Sequence, residues 1–172
     1  THFVLACTLY EDAKYHNAVF VGTDANGQAR HAHRKSTNSY IKPFRANVEG
    51  SDARFGFGHM GTSDRLYVFE APIDMLSFLT LYKKDWQRHS YLTLNGVSDQ
   101  ALFHTLGTYE HLRSPILCLD NDRAGIAAMD SMSEKLKQMR YNSASYLLSN
   151  CKDWNEQLQG INRHEPMVEL RL

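Results

Sequence analysis

Apolar positions along this 172-residue chain follow two different rhythms. Up to about residue 63 they form short clusters separated by turns. Ala18-Val-Phe-Val-Gly22 predicts a strand, and Asp24-Ala-Asn-Gly27 predicts a turn in which Asn26-Gly27 is a strong hairpin signal. Gln28 to Arg34 is the expected return strand. There Ala29, His31 and His33 alternate with Gln28, Arg30, Ala32 and Arg34, so the basic residues largely share one face. Lys35 to Gly50 has no clear period and reads as loop. Arg54-Phe-Gly-Phe-Gly58 reads as a short aromatic strand or bend, and Gly61-Thr-Ser-Asp64 as a boundary.

From Arg65 the rhythm changes to strand, helix, strand. Leu66-Tyr-Val-Phe69 is a buried-strand pattern. Pro72 suits a first helical position and opens an apolar helix through Met75, Leu76, Phe78, Leu79 and Tyr82. Tyr91-Leu-Thr-Leu94 predicts the next strand, after which Gly96 turns the chain and Ser98 caps a helix carrying Leu102, Phe103 and Leu106. Pro115-Ile-Leu-Cys-Leu119 predicts a third strand and Asp122 to Met139 the longest helix. Ala144-Ser-Tyr-Leu-Leu148 predicts a fourth strand, and Trp154 to Leu158 a short last helix. Such alternation with short links implies an α/β fold, with a mainly parallel four-stranded sheet flanked by helices. The expected organisation is a β-rich extension carrying a hairpin over 1–63, the α/β unit over 64–160, and a tail over 161–172.

Composition narrows the setting. A hydrophobic share of 42% and a charged share of 22% are those of an ordinary globular protein, which excludes disorder or coiled coil for the whole chain. Cys7, Cys118 and Cys151 are widely spaced with no CxxC pair, which points to free thiols in a reducing compartment and a cytoplasmic location. Apolar runs last only a few residues, far short of the roughly 18 needed to span a membrane. The chain opens on Thr1-His-Phe-Val-Leu without an initiator Met or signal peptide, as expected of a piece of a longer protein with flanking domains.

Charge adds a sharper point. The 19 Lys+Arg balance 19 Asp+Glu, which argues against a simple basic nucleic-acid glove. The balance is uneven, however. Ala25 to Val48 holds no acid but carries Arg30, Arg34, Lys35, Lys42 and Arg45, with Tyr40 and Phe44 among them. Acids gather later, where α/β sheets place their chemistry, just beyond the C-terminal ends of strands. Glu70 follows the first strand of the α/β unit and Asp74 lies one turn further on. Asp120 and Asp122 follow the third strand, and Asp153, Asn155 and Glu156 follow the fourth. Carboxylates crowded at the edge of a low-dielectric sheet repel one another unless a cation neutralises them. Mg²⁺ (or Mn²⁺) is the natural candidate, since it takes oxygen ligands from one or two carboxylates plus substrate phosphates. Any single acid here is equally readable as a helix N-cap or a solvated strand end. His31 and His33, without cysteine partners, read as surface or interface residues rather than metal ligands.

Three segments together resemble the signatures of a Toprim domain. They are Leu66-Tyr-Val-Phe-Glu70-Ala-Pro-Ile-Asp74, Asn95-Gly96-Val-Ser98 and Leu119-Asp120-Asn-Asp122-Arg-Ala-Gly125. With Lys152-Asp-Trp-Asn-Glu156, Asn17 to Asp24 and Gly50 to Phe57, the likeness extends to Toprim domains of primase-like DNA-processing proteins on plasmids and conjugative elements. A zinc-ribbon-like segment often precedes those domains, and this chain holds none.

The resemblance implies a Rossmann-like fold and metal-dependent phosphodiester chemistry on DNA (RNA or nucleotides being further possibilities), with no membrane role. Glu70 would act as general acid/base or share a metal, and Asp120 and Asp122 would hold Mg²⁺. Asp74 would support the cluster or bind a second ion, Asp153 and Asn155 would assist, and Gly96 would supply the turn. Arg123 and Lys152, beside the acids, would contact phosphate, and the cations of the 25–48 segment would track a nucleic-acid backbone. Primase-like nucleotidyl transfer is the leading expectation. The alternatives are a nuclease and a non-catalytic module that docks DNA or protein. A dehalogenase-type phosphatase also pairs aspartates after a strand, but expects Thr or Val where this chain has Ala124.

Overall fold

The computed structural model describes residues 2–38, 44–141 and 145–161. Tyr40, Lys42 and residues 162–172 lie outside the described residues. The element order is α1 (His2–Leu5), β1 (Leu9–Glu11), β2 (Ala18–Thr23), β3 (Ala29–Lys35), β4 (Arg45–Asn47), β5 (Gly58–His59), β6 (Arg65–Phe69), α2 (Pro72–Leu81), β7 (Ser90–Thr93), α3 (Gln100–Thr108), β8 (Ser114–Leu117), α4 (Arg123–Gln138), β9 (Ser145–Tyr146) and α5 (Trp154–Ile161). A 3₁₀ turn at Trp86–Arg88 precedes β7.

The strands form two sheets. The first is antiparallel, in the order β1-β2-β3-β4. Its hairpin turns where Asn26-Gly27 predicts. The Asp24 carboxylate accepts the Asn26 and Gln28 amides, both at 3.0 Å, and Gly27 takes a φ of +78° that side chains resist. The segment expected to be loop from Lys35 to Gly50 contains β4, paired so that Lys35 faces Arg45. Three residues are too few to show a period, and pairing with β3 supplies the order that the sequence pattern lacks.

The second sheet has five strands rather than the expected four, in the order β5-β7-β6-β8-β9. The four foreseen strands are mutually parallel, and β5 adds an antiparallel edge to β7. It is a two-residue strand at the end of Arg54–Gly58, the segment expected to be a short strand or bend, and precedes the Gly61–Asp64 boundary. All four residues of β7 and the last four of β6 are buried, as befits parallel strands covered on both faces. Alternation then assigns faces. Leu66 and Val68 pack with Leu102, Leu106, Met129 and Leu136 of α3 and α4. Tyr67 and Phe69 pack with Met75, Phe78 and Trp154 of α2 and α5, and with Phe20 and Phe57 from the first sheet's side. The α3 cap is Asp99 rather than Ser98, and the Asp99 carboxylate pairs with Lys135 at 2.5 Å instead of bonding the helix end.

Phe55-Gly56-Phe57 ties the sheets together. A Cβ at Gly22 would lie 2.3 Å from the Phe55 carbonyl oxygen, and one at Gly56 would lie 1.9 Å from that of Thr93. The Thr93 amide and hydroxyl both donate to the Phe57 carbonyl, at 2.9 and 3.1 Å. Backbone thus meets backbone at the junction, which only glycine allows.

Candidate functional site

The C-terminal ends of β6 and β8 carry the acids. Glu70 directly follows β6, and its carbonyl accepts the Gly96 amide at 3.0 Å. This bond fixes the turn after β7, where Asn95 and Gly96 take φ of +56° and +133°. Asp74 sits in the first turn of α2, buried, and accepts the Asn155 amide at 3.1 Å. That contact depends on where α5 begins, which Trp154 determines. Its ring is buried against Phe78, and its indole N–H donates to the Cys118 carbonyl at 3.0 Å. Asp153 accepts the Glu156 amide at 2.7 Å, and Asn155 lies 3.5 Å from the Ser77 hydroxyl.

Asp120 and Asp122, two residues apart, have different environments. Asp122 is the N-cap of α4, partly exposed, and accepts the Ala124 and Gly125 amides at 3.0 Å each. These bonds, the Gly125 one foremost, hold its carboxyl below the usual range. Asp120 is half-buried and accepts no such bonds; burial, then Asp153 and Asp122, push it up. A Cβ at Gly125 would meet the Asp120 carbonyl at 2.1 Å, so the helix start is pressed against the strand end. Asn121, between the acids, anchors the loop by donating to the Lys152 carbonyl at 2.7 Å and the Ser149 carbonyl at 3.3 Å. Lys152 thereby comes to 3.8 Å from Asp122.

Burial also raises Glu70, reinforced by Asp120 and Asp122, and raises Asp74 to about 7, reinforced by Asp153. Arg45 opposes the rise at Glu70 and Asp120, and Lys35 opposes it at Asp74. The first sheet therefore presents two cations to the second sheet's acids. Arg30 and Arg34 lie elsewhere: Arg30 sits over the Phe55 ring at 5.5 Å and Arg34 over the Phe44 ring at 5.7 Å. Alternation along β3 explains the split, since Lys35 shares its parity with His31 and His33. Both histidines are buried, which of the two expected settings, surface or interface, leaves only the second. Burial lowers both, and Asn47 bonds His33 at 2.9 Å. Arg123 is exposed at the start of α4. Trp154 and Asn121, which position the acids, carry no sequence signal beyond their place next to them.

The donor set suits a hard cation. Glu70, Asp74, Asp120 and Asp122 offer only oxygens, and three of the four are destabilised as anions by burial. Among the described residues no three His, Cys, Asp or Glu side chains converge into a metal cage. Mg²⁺ does not require one, since it keeps several waters and uses one or two carboxylates.

Comparison with known proteins places this architecture. A Toprim-like family model matches residues 67–158, and a model for a protein family of unknown function (DUF3991) matches residues 2–63. An uncharacterized plasmid-encoded protein of Bacillus anthracis, pXO2-78, is 25% identical over 94% of this chain and 53% of its own length. The chain thus spans about half of that relative. The primase fragment of the bacteriophage T7 primase-helicase protein superposes with a TM-score of 0.65 at 19% identity, covering 90% of this chain and 63% of that one. The Aquifex aeolicus primase (zinc-binding and RNA polymerase domains) gives 0.60 at 15% identity, covering 94% and 44%. The E. coli primase catalytic core gives 0.58 at 14%, covering 92% and 55%. At such identities the likeness is one of fold, and its coverage takes in both sheets. The family match spans more than half of the sequence and carries the strand-end acids, so the chain belongs to the Toprim-like family.

Proposed function

We propose that the chain is the catalytic part of a primase-like protein of a mobile element, performing Mg²⁺-dependent nucleotidyl transfer on a DNA template. The observation that carries this reading is the opposition of three desolvated carboxylates, Glu70, Asp74 and Asp120, to Lys35 and Arg45 from the other sheet. Alone, the acids have the wrong sign for a polyanion. Glu70, Asp120 and Asp122 would hold the cation, with Asp74 supporting them, and when bound it would supply the positive charge that phosphoryl transfer needs. Lys35, Arg45 and Lys152 would orient the phosphates, and Glu70, raised by burial, would be suited to exchange a proton. The likeness to primase catalytic cores and the plasmid-encoded relative support this choice. In this reading residues 1–63 bring cations and 64–160 bring acids.

The test is ribonucleotide incorporation on single-stranded DNA by the full-length protein with Mg²⁺ or Mn²⁺. Glu70→Gln and Asp120→Asn should each lower it about 100-fold or more while leaving the melting curve cooperative. Activity surviving both changes overturns the reading. Cleaved strands instead of primers would identify a nuclease. The exposed Lys35 and Arg45 also fit a second reading, a non-catalytic docking module. It predicts DNA binding unmoved by either acid substitution.

A further inference from the structure

A second cavity lies away from the acids, between the first sheet and α3. Its volume is about 330 Å³, at the small end of the roughly 300–1,000 Å³ usual for ligand pockets. No residue of the carboxylate site lines it. One wall is the β2–β3 turn with Asp24, another is the Phe55 segment, a third is α3 and its end with His104, Thr108 and Tyr109, and Leu92 of β7 contributes an apolar surface. The Phe55 wall packs backbone to backbone on the first sheet, where a Cβ at Gly22 would lie 2.3 Å from the Phe55 carbonyl oxygen.

The lining defines a chemistry. Phe55 and His104 meet edge to face, ring centroids 4.6 Å apart, and Tyr109 adds a third aromatic surface, so a flat ring fits. The polar groups are rich in acceptors. The Thr108 hydroxyl already donates to the His104 carbonyl at 2.8 Å, which leaves its oxygen to accept. Asp24 is acceptor-only as a carboxylate, and its Oδ1 takes both turn amides, leaving Oδ2. Phosphate is disfavoured. Among the described residues no lysine lines the cavity, Asp24 repels anions, and the Arg54 charge is offset by Asp52 at 2.7 Å. A ligand must therefore be planar and uncharged, and must bring N–H donors. Adenine, cytosine and guanine each have an exocyclic amino group; uracil and thymine have none, and their carbonyl oxygens would face more acceptors.

We propose that this cavity binds an amino-bearing nucleobase (adenine, cytosine or guanine) stacked among Phe55, His104 and Tyr109 with its amino group on Asp24. The site operates independently of the carboxylate cluster. The test is a fluorescence titration of the full chain with 2-aminopurine riboside, whose emission falls on stacking. Saturable quenching should be reversed by adenosine, cytidine and guanosine but not by uridine. Asp24→Asn keeps an oxygen for the turn amides and replaces the other with a donor, so binding should weaken at least about tenfold. His104→Ala, which leaves the turn untouched, should give a comparable loss. Glu70→Gln should bind like the parent. Absence of saturable quenching up to about 10 mM overturns the proposal. So does equal competition by uridine, or a loss in Glu70→Gln in place of Asp24→Asn, which would put the base among the carboxylates.

Discussion

The two sheets hold their charges in opposite ways. The parallel sheet places its acids at the mouth of a buried core, so Glu70, Asp74 and Asp120 are raised chiefly by lost hydration. The antiparallel sheet carries its cations on short, partly exposed strands, and Lys35 and Arg45 are exposed. Stability and site chemistry are thus opposed in one sheet and nearly independent in the other. A buried acid without its counterion strains the fold, whereas an exposed cation costs it little.

The junction between the sheets gives the largest predicted effect. Gly56→Ala would drive a Cβ into the Thr93 carbonyl, and neither backbone can move without parting the sheets. Destabilisation of about 3 kcal/mol or more is expected in urea unfolding. A change under about 1 kcal/mol would show that the two sheets are more loosely coupled than the contact implies.

Asp74→Asn tests the strained side, and its sign depends on pH. The folded-state pKa of Asp74, about 7, lies above its ordinary 3.8. The folded protein therefore holds this proton more tightly than the unfolded chain. That contribution to stability is fully present below pH 3.8 and is lost as pH rises through about 7. Asparagine keeps an oxygen for the Asn155 amide and has no charge to bury. The variant should be more stable than the parent at pH 8, by about 2–4 kcal/mol, and no more stable at pH 4. Mg²⁺ should narrow the gap at pH 8 by stabilising the parent more than the variant, which lacks the Asp74 charge. A pH-independent difference would contradict the burial argument.

The paired aspartates give a smaller effect of opposite signs. Asp122→Ala removes the α4 cap and should lower the melting temperature at pH 7, whereas Asp120→Asn relieves a half-buried charge and should raise it. Two falls would mean that Asp120 is held by contacts its neighbours supply only to the anion.

How far the sequence revealed this depends on the kind of signal. Strands β6, β7 and β8 were legible because burial leaves near-continuous apolar runs, and Glu70 and Asp120 stand just beyond two of those runs; β9 is exposed. Strand β4, of three residues, was not legible, since pairing alone creates it, and β5 was foreseen only as a short strand or bend ending at Gly58. Crowding of like charges beyond the strands was a local inference and could be made from order alone. Which cations oppose them was not, because alternation along β3 separates Arg34 from Lys35 but does not say which face meets the second sheet. Buried His31 and His33 identify that face, and only the fold shows them buried.

That face assignment carries the last and smallest prediction. Single-stranded oligonucleotide binding with Mg²⁺ should weaken as salt rises, with the slope of log K against log salt counting neutralised phosphates. Arg45→Ala and Lys35→Ala should each flatten the slope by about 0.7, the value for one contact on a single strand. Neither should shift the melting temperature much, since both side chains are exposed. Arg34→Ala removes an equal charge from the same strand, but its guanidinium lies over Phe44 rather than beside the acids. It should leave the slope unchanged. Equal slopes for all three variants would mean that the polyanion follows total charge on the first sheet. A difference between Arg34 and Lys35, one residue apart, would mean that it follows the face turned toward the carboxylates.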